Sequence, residues 1–177
     1  MTIYRPFTCD DFFKYNNINL DSLTENYGIP FYLSYISQWP EYFRIAESAS
    51  GKLVGYIMGK SESKRGVDDW HGHITAVTVS PDYRKLGIGA SLIKFLEDVS
   101  EKKRCYFVDL YVRASNAIAV GLYEKLGYVV YRRVLGYYSN PGQPDEDGLD
   151  MRKSLSRDKD KMFMIPVTHP VSADDVT

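Results

Sequence analysis

Apolar residues recur along the chain with two different periods. Seven segments carry alternating or continuous runs of β-branched and aromatic residues and predict strands, at 2–7, 42–47, 53–59, 71–80, 105–112, 128–138 and 149–155. Four segments have helical spacing, at 10–15, 31–39, 90–99 and 116–126. This order predicts an α/β fold with a mixed central sheet of about seven strands flanked by about four helices. We expect one domain over residues 1–155 and a charged C-terminal tail at 156–177.

Composition excludes several classes of protein. The chain has 177 residues, 44% of them hydrophobic and 25% charged, as is typical of one globular domain. Its net charge of -1 argues against direct nucleic-acid binding, and no apolar run approaches the ~20 residues that cross a bilayer. The N-terminus lacks the apolar centre of a signal peptide. Since Cys9 and Cys105 are too few for a disulfide framework, we expect a cytoplasmic protein without membrane contact. The histidines and cysteines show no metal-ligand spacing, so we expect no metal.

One strand-loop-helix segment is suited to hold an anion. Val77 and Val79 end a predicted strand, residues 84–89 form a loop, and a helix begins at Ala90. The first turn of a helix has unpartnered N–H groups and a positive dipole end, and glycines let a phosphate approach the backbone. Arg84 and Lys85 add positive charge. The segment lacks the Gly-Lys-Ser/Thr of a Walker loop and the third glycine of a dinucleotide fingerprint. A tight turn without a ligand is the alternative for these residues alone.

Two segments resemble signatures of the GCN5-related N-acetyltransferase (GNAT) superfamily. Arg84-Lys85-Leu86-Gly87-Ile88-Gly89 fits its pyrophosphate loop, Arg/Gln-x-x-Gly-x-Gly/Ala. Residues 116–128 fit its second signature, Asn-x-x-Ala-x-x-x-Tyr-x-x-x-Gly-Phe/Tyr, and helical spacing places the Asn, Ala and Tyr on one face. The resemblance implies a GNAT fold with acetyl-CoA as cosubstrate. The cofactor contacts that it implies are Val77, Val79, Arg84, Lys85, Gly87, Ile88, Gly89, Ala90, Asn116, Ala119 and Tyr123.

Acetyl transfer needs a positioned thioester, a neutral amine and a proton for the departing thiolate. The resemblance implies that Tyr123 lies near the thioester sulfur. A phenol, with a pKa of about 10, keeps its proton at pH 7 and can donate it. We therefore interpret Tyr123 as the catalytic acid, the alternative being a core tyrosine on an amphipathic helix. The sequence leaves the base open: a water relayed through Glu25, His73 or a backbone carbonyl fits equally.

Further segments resemble the catalytic subunits of eukaryotic N-terminal acetyltransferases. Residues 25–27 and 71–76 are of this general kind, whereas 23–32, 107–110, 144–147, 150–158 and 165–170 resemble NatB specifically. The resemblance implies acetylation of nascent proteins that begin Met-Asp, Met-Glu, Met-Asn or Met-Gln. It also implies a heterodimer with a large helical-repeat auxiliary subunit, and association with the ribosome through that complex.

The same resemblance implies a peptide site made of three groups. The first surrounds the initiator methionine and its amine, the second contacts the next side chain, and the third closes over the peptide backbone. In that order they are Glu25, Tyr27 and Gly28; His73 and Thr75; Tyr137 and Tyr138. The resemblance implies Ala76 as a further substrate contact. For His73, the roles of a base, of a side-chain reader and of a structural group all stay open.

An α-amine suits an enzyme that has no strong base. Its pKa of about 8 leaves about a tenth of the amine neutral at pH 7, whereas a lysine, at about 10.4, is neutral in roughly one part in 2,500. This favours protein N-termini as acceptors. The alternatives are an acetyltransferase for a lysine or a small-molecule amine, and a non-enzymatic acetyl-CoA-binding module.

Overall fold

Within the residues that the structure describes, the chain forms eight strands and three α-helices, joined by loops and 3-10 turns. The computed structural model describes residues 1–14, 18, 25–64, 66–139, 142 and 144–176. The strands are β1 (Thr2–Pro6), β2 (Arg44–Ser48), β3 (Leu53–Glu62), β4 (His71–Val79), β5 (Phe107–Arg113), β6 (Val129–Tyr138), β7 (Glu146–Ser154) and β8 (Val171–Ser172). The helices are α1 (Ile29–Gln38), α2 (Ile88–Lys102) and α3 (Ala117–Lys125). The contacts define two compact units, Met1–Glu62 with Gly72–Lys103 and Ser63–His71 with Arg104–Thr177.

The first unit places α1 and α2 against the strands β1 to β4. β1, β2 and β3 pair antiparallel, and β4 follows β3 in the strand order. The apolar stripe of α2 is buried at Ile88, Leu92, Ile93 and Leu96, a spacing that gives one helix face. This stripe packs α2 against β2 and β3.

Aromatic rings form much of the core of the first unit. Tyr32, Phe43 and Tyr56 are buried, with ring centroids 6.4 Å apart for Tyr32 and Phe43 and 6.1 Å apart for Phe43 and Tyr56. The hydroxyls of Tyr32 and Tyr56 lie 3.3 Å apart and form a hydrogen bond. Each buried tyrosine thus contributes apolar area while its polar atom keeps a partner.

Two glycines of β3 let the neighbouring elements approach closely. A Cβ at Gly59 would lie 2.4 Å from the carbonyl oxygen of His73 and 2.6 Å from Cδ1 of Leu96. A Cβ at Gly55 would lie 2.9 Å from the carbonyl oxygen of Thr78. A backbone oxygen cannot move away without disturbing its strand. Both positions of β3 therefore require glycine, the first more strictly than the second.

In the second unit, β7 lies between β5 and β6. Tyr111 of β5 stands opposite Asp150 of β7, and both strand pairs are antiparallel, whereas β8 pairs parallel to β6. The Asp150 carboxylate is fully buried and accepts hydrogen bonds from Arg132 at 2.8 Å and from Arg152 at 3.2 Å. These bonds satisfy a carboxylate whose burial would otherwise cost several kcal/mol.

The helix predicted at 10–15 is wrong: the described residues there form a 3-10 turn, Cys9–Phe13, and residue 15 lies outside the described residues. The carboxylate of Asp11 accepts hydrogen bonds from the Thr8 N–H at 2.8 Å and from two nitrogens of Arg5 at 2.8 and 2.9 Å. Acidic residues at this position therefore fix a turn against β1, and the described part of the chain has three α-helices rather than about four.

The starts of two strands differ from the prediction, and the structure contains one strand that was not predicted. β2 begins at Arg44 because Pro40–Tyr42 forms a 3-10 turn. β7 begins at Glu146 rather than at 149, since the Glu146 carboxylate pairs with Arg113 of β5 at 3.1 Å. The eighth strand, β8, has two residues, too few to show a period in the sequence. Mixed α/β architecture is confirmed, with β6 and β8 as a parallel pair.

Within the ranges that the structure describes, no helix combines the length and the apolar character needed to cross a membrane.

Gly59→Ala tests the close approach within the first unit. We expect it to lower the free energy of unfolding by about 3 kcal/mol, because the added methyl group meets a backbone oxygen and a buried leucine. Gly55→Ala is the matched control in the same strand, with an expected loss of about 1 kcal/mol. Urea unfolding of both variants measures the difference. Equal losses would contradict the tighter constraint at Gly59.

Candidate active site

The predicted phosphate loop is exposed and leads into the N-terminus of α2. Lys85 and Gly87 both have left-handed backbone conformations, with φ of 62° and 78°. The Ser91 N–H donates to the Gly87 carbonyl oxygen over 3.0 Å. The N–H groups of the preceding residues 88–90 therefore lie in the first helical turn, where the helix itself offers no acceptor.

Arg84 is held at the start of this loop. Its Nε donates to the carbonyl oxygen of Val79 over 3.1 Å, which ties the guanidinium to the end of β4. The side chains of Arg84 and Lys85 are both exposed. Positive charge, the helix N-terminus and accessible backbone thus lie in one loop, an arrangement that favours a phosphate.

Gly55 of β3 packs closely against the two residues that flank this loop, Val79 and Ile88. A Cβ at Gly55 would lie 3.4 Å from Cγ2 of Val79 and 3.5 Å from Cγ2 of Ile88. Ile88 is buried although the loop before it is exposed. The close packing of β3 therefore fixes the strand end and the helix start between which the loop runs.

Three of the predicted peptide contacts adjoin the aromatic core of the first unit. The ring of Tyr27 stacks on that of Phe31, with centroids 4.3 Å apart. Ala76 packs against the same core. The Thr75 hydroxyl donates to the hydroxyl of Tyr35 over 2.9 Å. The Tyr35 oxygen accepts this hydrogen bond and so orients the Thr75 hydroxyl group.

Tyr35 is a supporting residue that the sequence analysis missed. It is buried and its ring lies 4.9 Å from that of Phe31, so it links Thr75 to the rings beside Tyr27. Its sequence signal is weak, because a tyrosine on an aromatic helix reads as core.

The remaining predicted peptide contacts of the first unit are Glu25, Gly28 and His73. Glu25 is exposed, and Gly28 is the N-cap of α1, where its carbonyl oxygen accepts the Phe31 N–H over 3.0 Å. His73 is half-buried on β4. Strand alternation puts His73 on the same face as Thr75.

In the second unit, α3 carries the three residues of the second signature. Asn116 is the N-cap, and its Oδ1 accepts the N–H of Ala119 over 3.2 Å. The amide NH₂ group of Asn116 supplies two further donors, which suits a ligand carbonyl. Ala119 is half-buried and presents only a methyl group.

Tyr123 is enclosed by the second unit, with 7% of its surface exposed. Its ring packs edge-on against that of Tyr128, with centroids 5.8 Å apart. Burial raises the pKa of the Tyr123 phenol above its ordinary value. The phenol therefore holds its proton throughout the neutral range, as an acid must before it donates.

Tyr137 and Tyr138 are anchored at the end of β6 rather than projecting as an exposed strand end. Their rings meet edge to face with centroids 5.0 Å apart. The ring of Tyr137 stacks on Tyr111 of β5 at 4.5 Å and 10°. The Arg113 guanidinium lies 4.4 Å from the centre of the Tyr138 ring. Tyr111 and Arg113 were not singled out in the sequence, although strand alternation places them on one face of β5.

Across the described ranges, no group of three or more His, Cys, Asp or Glu side chains is arranged to hold a metal ion. The predicted residues thus form a phosphate-type loop and an aromatic cluster in the first unit. In the second unit they form one helix face and an aromatic pair.

Comparisons with known proteins identify acetyltransferases as relatives of this chain. The profile of the family described as Acetyltransferase (GNAT) family matches residues 12–128. The chain is 50% identical over 177 residues to the N-terminal acetyltransferase B complex catalytic subunit NAA20 of Arabidopsis thaliana, with 99% of this chain and 98% of the relative covered.

Solved structures are similar as well. Chaetomium thermophilum Naa20 in complex with a bisubstrate analogue superposes with a TM-score of 0.92 at 40% identity, over 99% of both chains. A chain of the NatB acetyltransferase complex bound to CoA and MES superposes with a TM-score of 0.78 at 42% identity, over 86% of this chain and 99% of that chain.

Gly87→Asp tests the phosphate loop. We expect acetyl-CoA affinity to fall about tenfold, because a negative charge at a helix N-terminus opposes bound phosphate. Gly87→Asn is the matched control, since both side chains tolerate the left-handed backbone and differ mainly in charge. Calorimetric titration with acetyl-CoA measures both variants. Equal affinities for the two variants would contradict a phosphate at this loop.

Proposed function

The chain belongs to the GNAT acetyltransferase family and, within it, to the NatB catalytic subunits, and we propose that it acetylates proteins beginning Met-Asp, Met-Glu, Met-Asn or Met-Gln. Membership makes it an N-terminal acetyltransferase with acetyl-CoA as cosubstrate. The choice of acceptor is the proposed part. The observation that carries it is the arrangement of Tyr27, Thr75 and Ala76 around one aromatic core, which offers an apolar wall beside a hydroxyl group.

We assign the phosphates of acetyl-CoA to the loop before α2. Arg84, Lys85 and the N–H groups of residues 88–90 supply positive charge and donors there. Gly87 is exposed and Gly89 is half-buried in the first turn of α2, and neither has a side chain that would keep a phosphate from the backbone. The pantetheine is assigned to the backbone of Val77 and Val79, with the Asn116 amide as a further donor and Ala119 leaving room for it.

The first residue of the acceptor is assigned to Glu25, Tyr27 and Gly28. The Tyr27 ring, stacked on Phe31, offers the flat apolar surface that a methionine side chain packs against. Glu25 is exposed and carries the negative charge that attracts an N-terminal amine. The peptide backbone beyond is assigned to Tyr137 and Tyr138.

The second residue is assigned to His73 and Thr75. Both side chains can donate hydrogen bonds, and carboxylate and amide oxygens are the acceptors of Asp, Glu, Asn and Gln. A hydrogen bond to an ionised acceptor is roughly twice as strong as a hydrogen bond between neutral groups. Tyr35 takes part by accepting the hydrogen bond of Thr75, which holds the Thr75 hydroxyl group in place.

In the reaction, the neutral α-amine nitrogen attacks the thioester carbonyl carbon. The carbon–sulfur bond breaks, the amine loses a proton, and the departing thiolate takes the proton of the Tyr123 phenol. Burial raises the pKa of the Tyr123 phenol, so the proton is present at neutral pH when the thiolate forms. The proton lost by the amine passes to water, with Glu25 and His73 as the side-chain relays, and the Tyr123 phenolate regains a proton from water.

We further propose that the chain works as a heterodimer with a large helical-repeat auxiliary subunit, and through it associates with ribosomes in the cytoplasm. The Arabidopsis relative is named as a subunit of a complex. Ile29 and Leu33 lie on one face of α1 and expose 55% and 43% of their surface, which suits contact with a partner.

Acetyl-CoA turnover on a panel of peptides tests the acceptor. The chain, alone and copurified with its partner, is offered peptides starting Met-Asp, Met-Ala and Ser-Ala and an Nα-blocked lysine peptide. We expect selective turnover of Met-Asp, fastest with the partner. His73→Ala should then reduce the preference for Met-Asp over Met-Ala by about tenfold, since one charge-assisted hydrogen bond is lost.

Two outcomes would contradict this acceptor. Turnover of the blocked lysine peptide would show the alternative, a lysine or small-amine acetyltransferase. An unchanged Met-Asp preference in His73→Ala would remove His73 from side-chain recognition.

Tyr123→Phe tests the acid. We expect kcat to fall about 100-fold while acetyl-CoA affinity stays near that of the wild type, because the ring remains and only the proton donor is lost. Tyr128→Phe is the matched control: it also removes a hydroxyl from a buried ring of the same aromatic pair. Similar kcat values for the two variants would remove the acid role from Tyr123.

A further inference from the structure

The stacking of Tyr111 on Tyr137 joins two strands that are not neighbours. Tyr111 belongs to β5 and Tyr137 to β6, and β7 lies between these strands. Adjacent strands are about 4.8 Å apart, so β5 and β6 are separated by roughly 10 Å. The ring centroids are 4.5 Å apart. The side chains must therefore bridge this separation by crossing over the backbone of β7.

Gly148 of β7 is where the Tyr137 side chain crosses. A Cβ at Gly148 would lie 3.0 Å from Cβ of Tyr137 and 3.1 Å from both Cγ and Cδ1. The backbone of Gly148 lies outside the left-handed region, so other residues can adopt its conformation. The need for glycine at this position therefore comes from Tyr137.

A bulge in β6 directs Tyr137 onto β7. The register of β6 against β7 shifts between Val134 and Tyr138, and Gly136 has a left-handed φ of 60°. The Gly136 N–H donates to Oδ1 of Asp147 over 3.0 Å, while Oδ2 of Asp147 accepts from Nε of Arg133 over 2.7 Å. Bulges of this kind re-aim a side chain, and here one carboxylate fixes the bulge from the neighbouring strand.

Tyr111 is fixed in turn by a buried ion pair. Its hydroxyl accepts a hydrogen bond from Nη2 of Arg132 over 3.2 Å. Nε of Arg132 donates to Oδ2 of the fully buried Asp150 over 2.8 Å. The ring of Tyr111 is thus a rigid support on which the ring of Tyr137 rests.

We propose that Gly148 and Tyr111 are positioning residues for the acceptor peptide. They set the position of the Tyr137 ring and act on peptide affinity through it. The inference rests on the proposed function, in which Tyr137 contacts the peptide backbone. Gly148 acts by having no side chain, because the Tyr137 side chain occupies the space where its Cβ would lie.

Gly148→Ala is the first variant to measure. The added methyl group displaces the Tyr137 ring, so we expect the KM for a Met-Asp peptide to rise about tenfold. The KM for acetyl-CoA should stay within about twofold of the wild-type value, since Tyr137 is assigned to the peptide alone. Equal rises of both KM values would overturn the proposal.

A double-mutant cycle shows whether Gly148 acts through Tyr137. In a Tyr137→Ala background the ring is absent, and Gly148→Ala should leave the peptide KM unchanged. If Gly148→Ala raises the peptide KM by the same factor in both backgrounds, the proposal is overturned.

Tyr111 is tested by a graded pair of variants. Tyr111→Phe keeps the stacked ring but loses the hydrogen bond from Arg132, so it should raise the peptide KM about threefold, whereas Tyr111→Leu removes the ring and should raise the peptide KM about tenfold. Phe163→Leu is the control for stability, because it removes a similar stack, on Phe107 at 4.8 Å, within the same unit. It should lower Tm without changing the peptide KM.

The wild-type enzyme distinguishes the two possible failures. If it turns over Met-Asp peptides and Gly148→Ala leaves the peptide KM unchanged, the positioning role alone is overturned. If the wild-type enzyme does not turn over Met-Asp peptides, the proposed function is wrong and the inference fails with it.

Discussion

The approach of β3 to the backbone of β4 is the contact on which the first unit depends. Gly59 lies under the carbonyl oxygen of His73 and against Leu96 of α2 at distances that exclude any side chain. The constraint at Gly55 is weaker, because a Cβ there would lie 2.9 Å from the carbonyl oxygen of Thr78 and 3.5 Å from Cγ2 of Ile88. One strand thereby fixes both the face of β4 assigned to the acceptor and the helix start assigned to phosphate. The positions of the residues assigned to the acceptor and to phosphate in this unit therefore depend on Gly55 and Gly59, which have no side chains.

In the second unit, the position of the Tyr137 ring depends on an ion pair as well as on close packing at a glycine. Asp150 is fully buried between Arg132 and Arg152, an arrangement that a hydrophobic replacement could match in stability. Its further effect is geometric. The pair directs one Arg132 nitrogen onto the hydroxyl of Tyr111, and so fixes the ring on which Tyr137 rests. A buried ion pair contributes here by selecting one orientation of an aromatic ring.

The parts of the site that the sequence predicts are local. The phosphate loop is contiguous, and Asn116, Ala119 and Tyr123 follow from helical spacing, so neither depends on knowing the tertiary fold. The GNAT fold and acetyl-CoA are confirmed by the family match and by the similar structures. Contacts between strands could not be predicted from the sequence. The period of a strand gives its faces but not its neighbours, so the stack of Tyr111 on Tyr137 and the space at Gly148 are visible only in the structure.

The position of β7 has a consequence for how the chain folds. β7 follows β6 in sequence but lies between β6 and β5, so the earlier strands cannot be joined until residues 146–154 have inserted between them. Such non-local pairing closes a long loop and is slow compared with helix formation. The stack of Tyr137 on Tyr111, which needs β7 to be paired with the distant strand β5, therefore forms after the local elements of the chain.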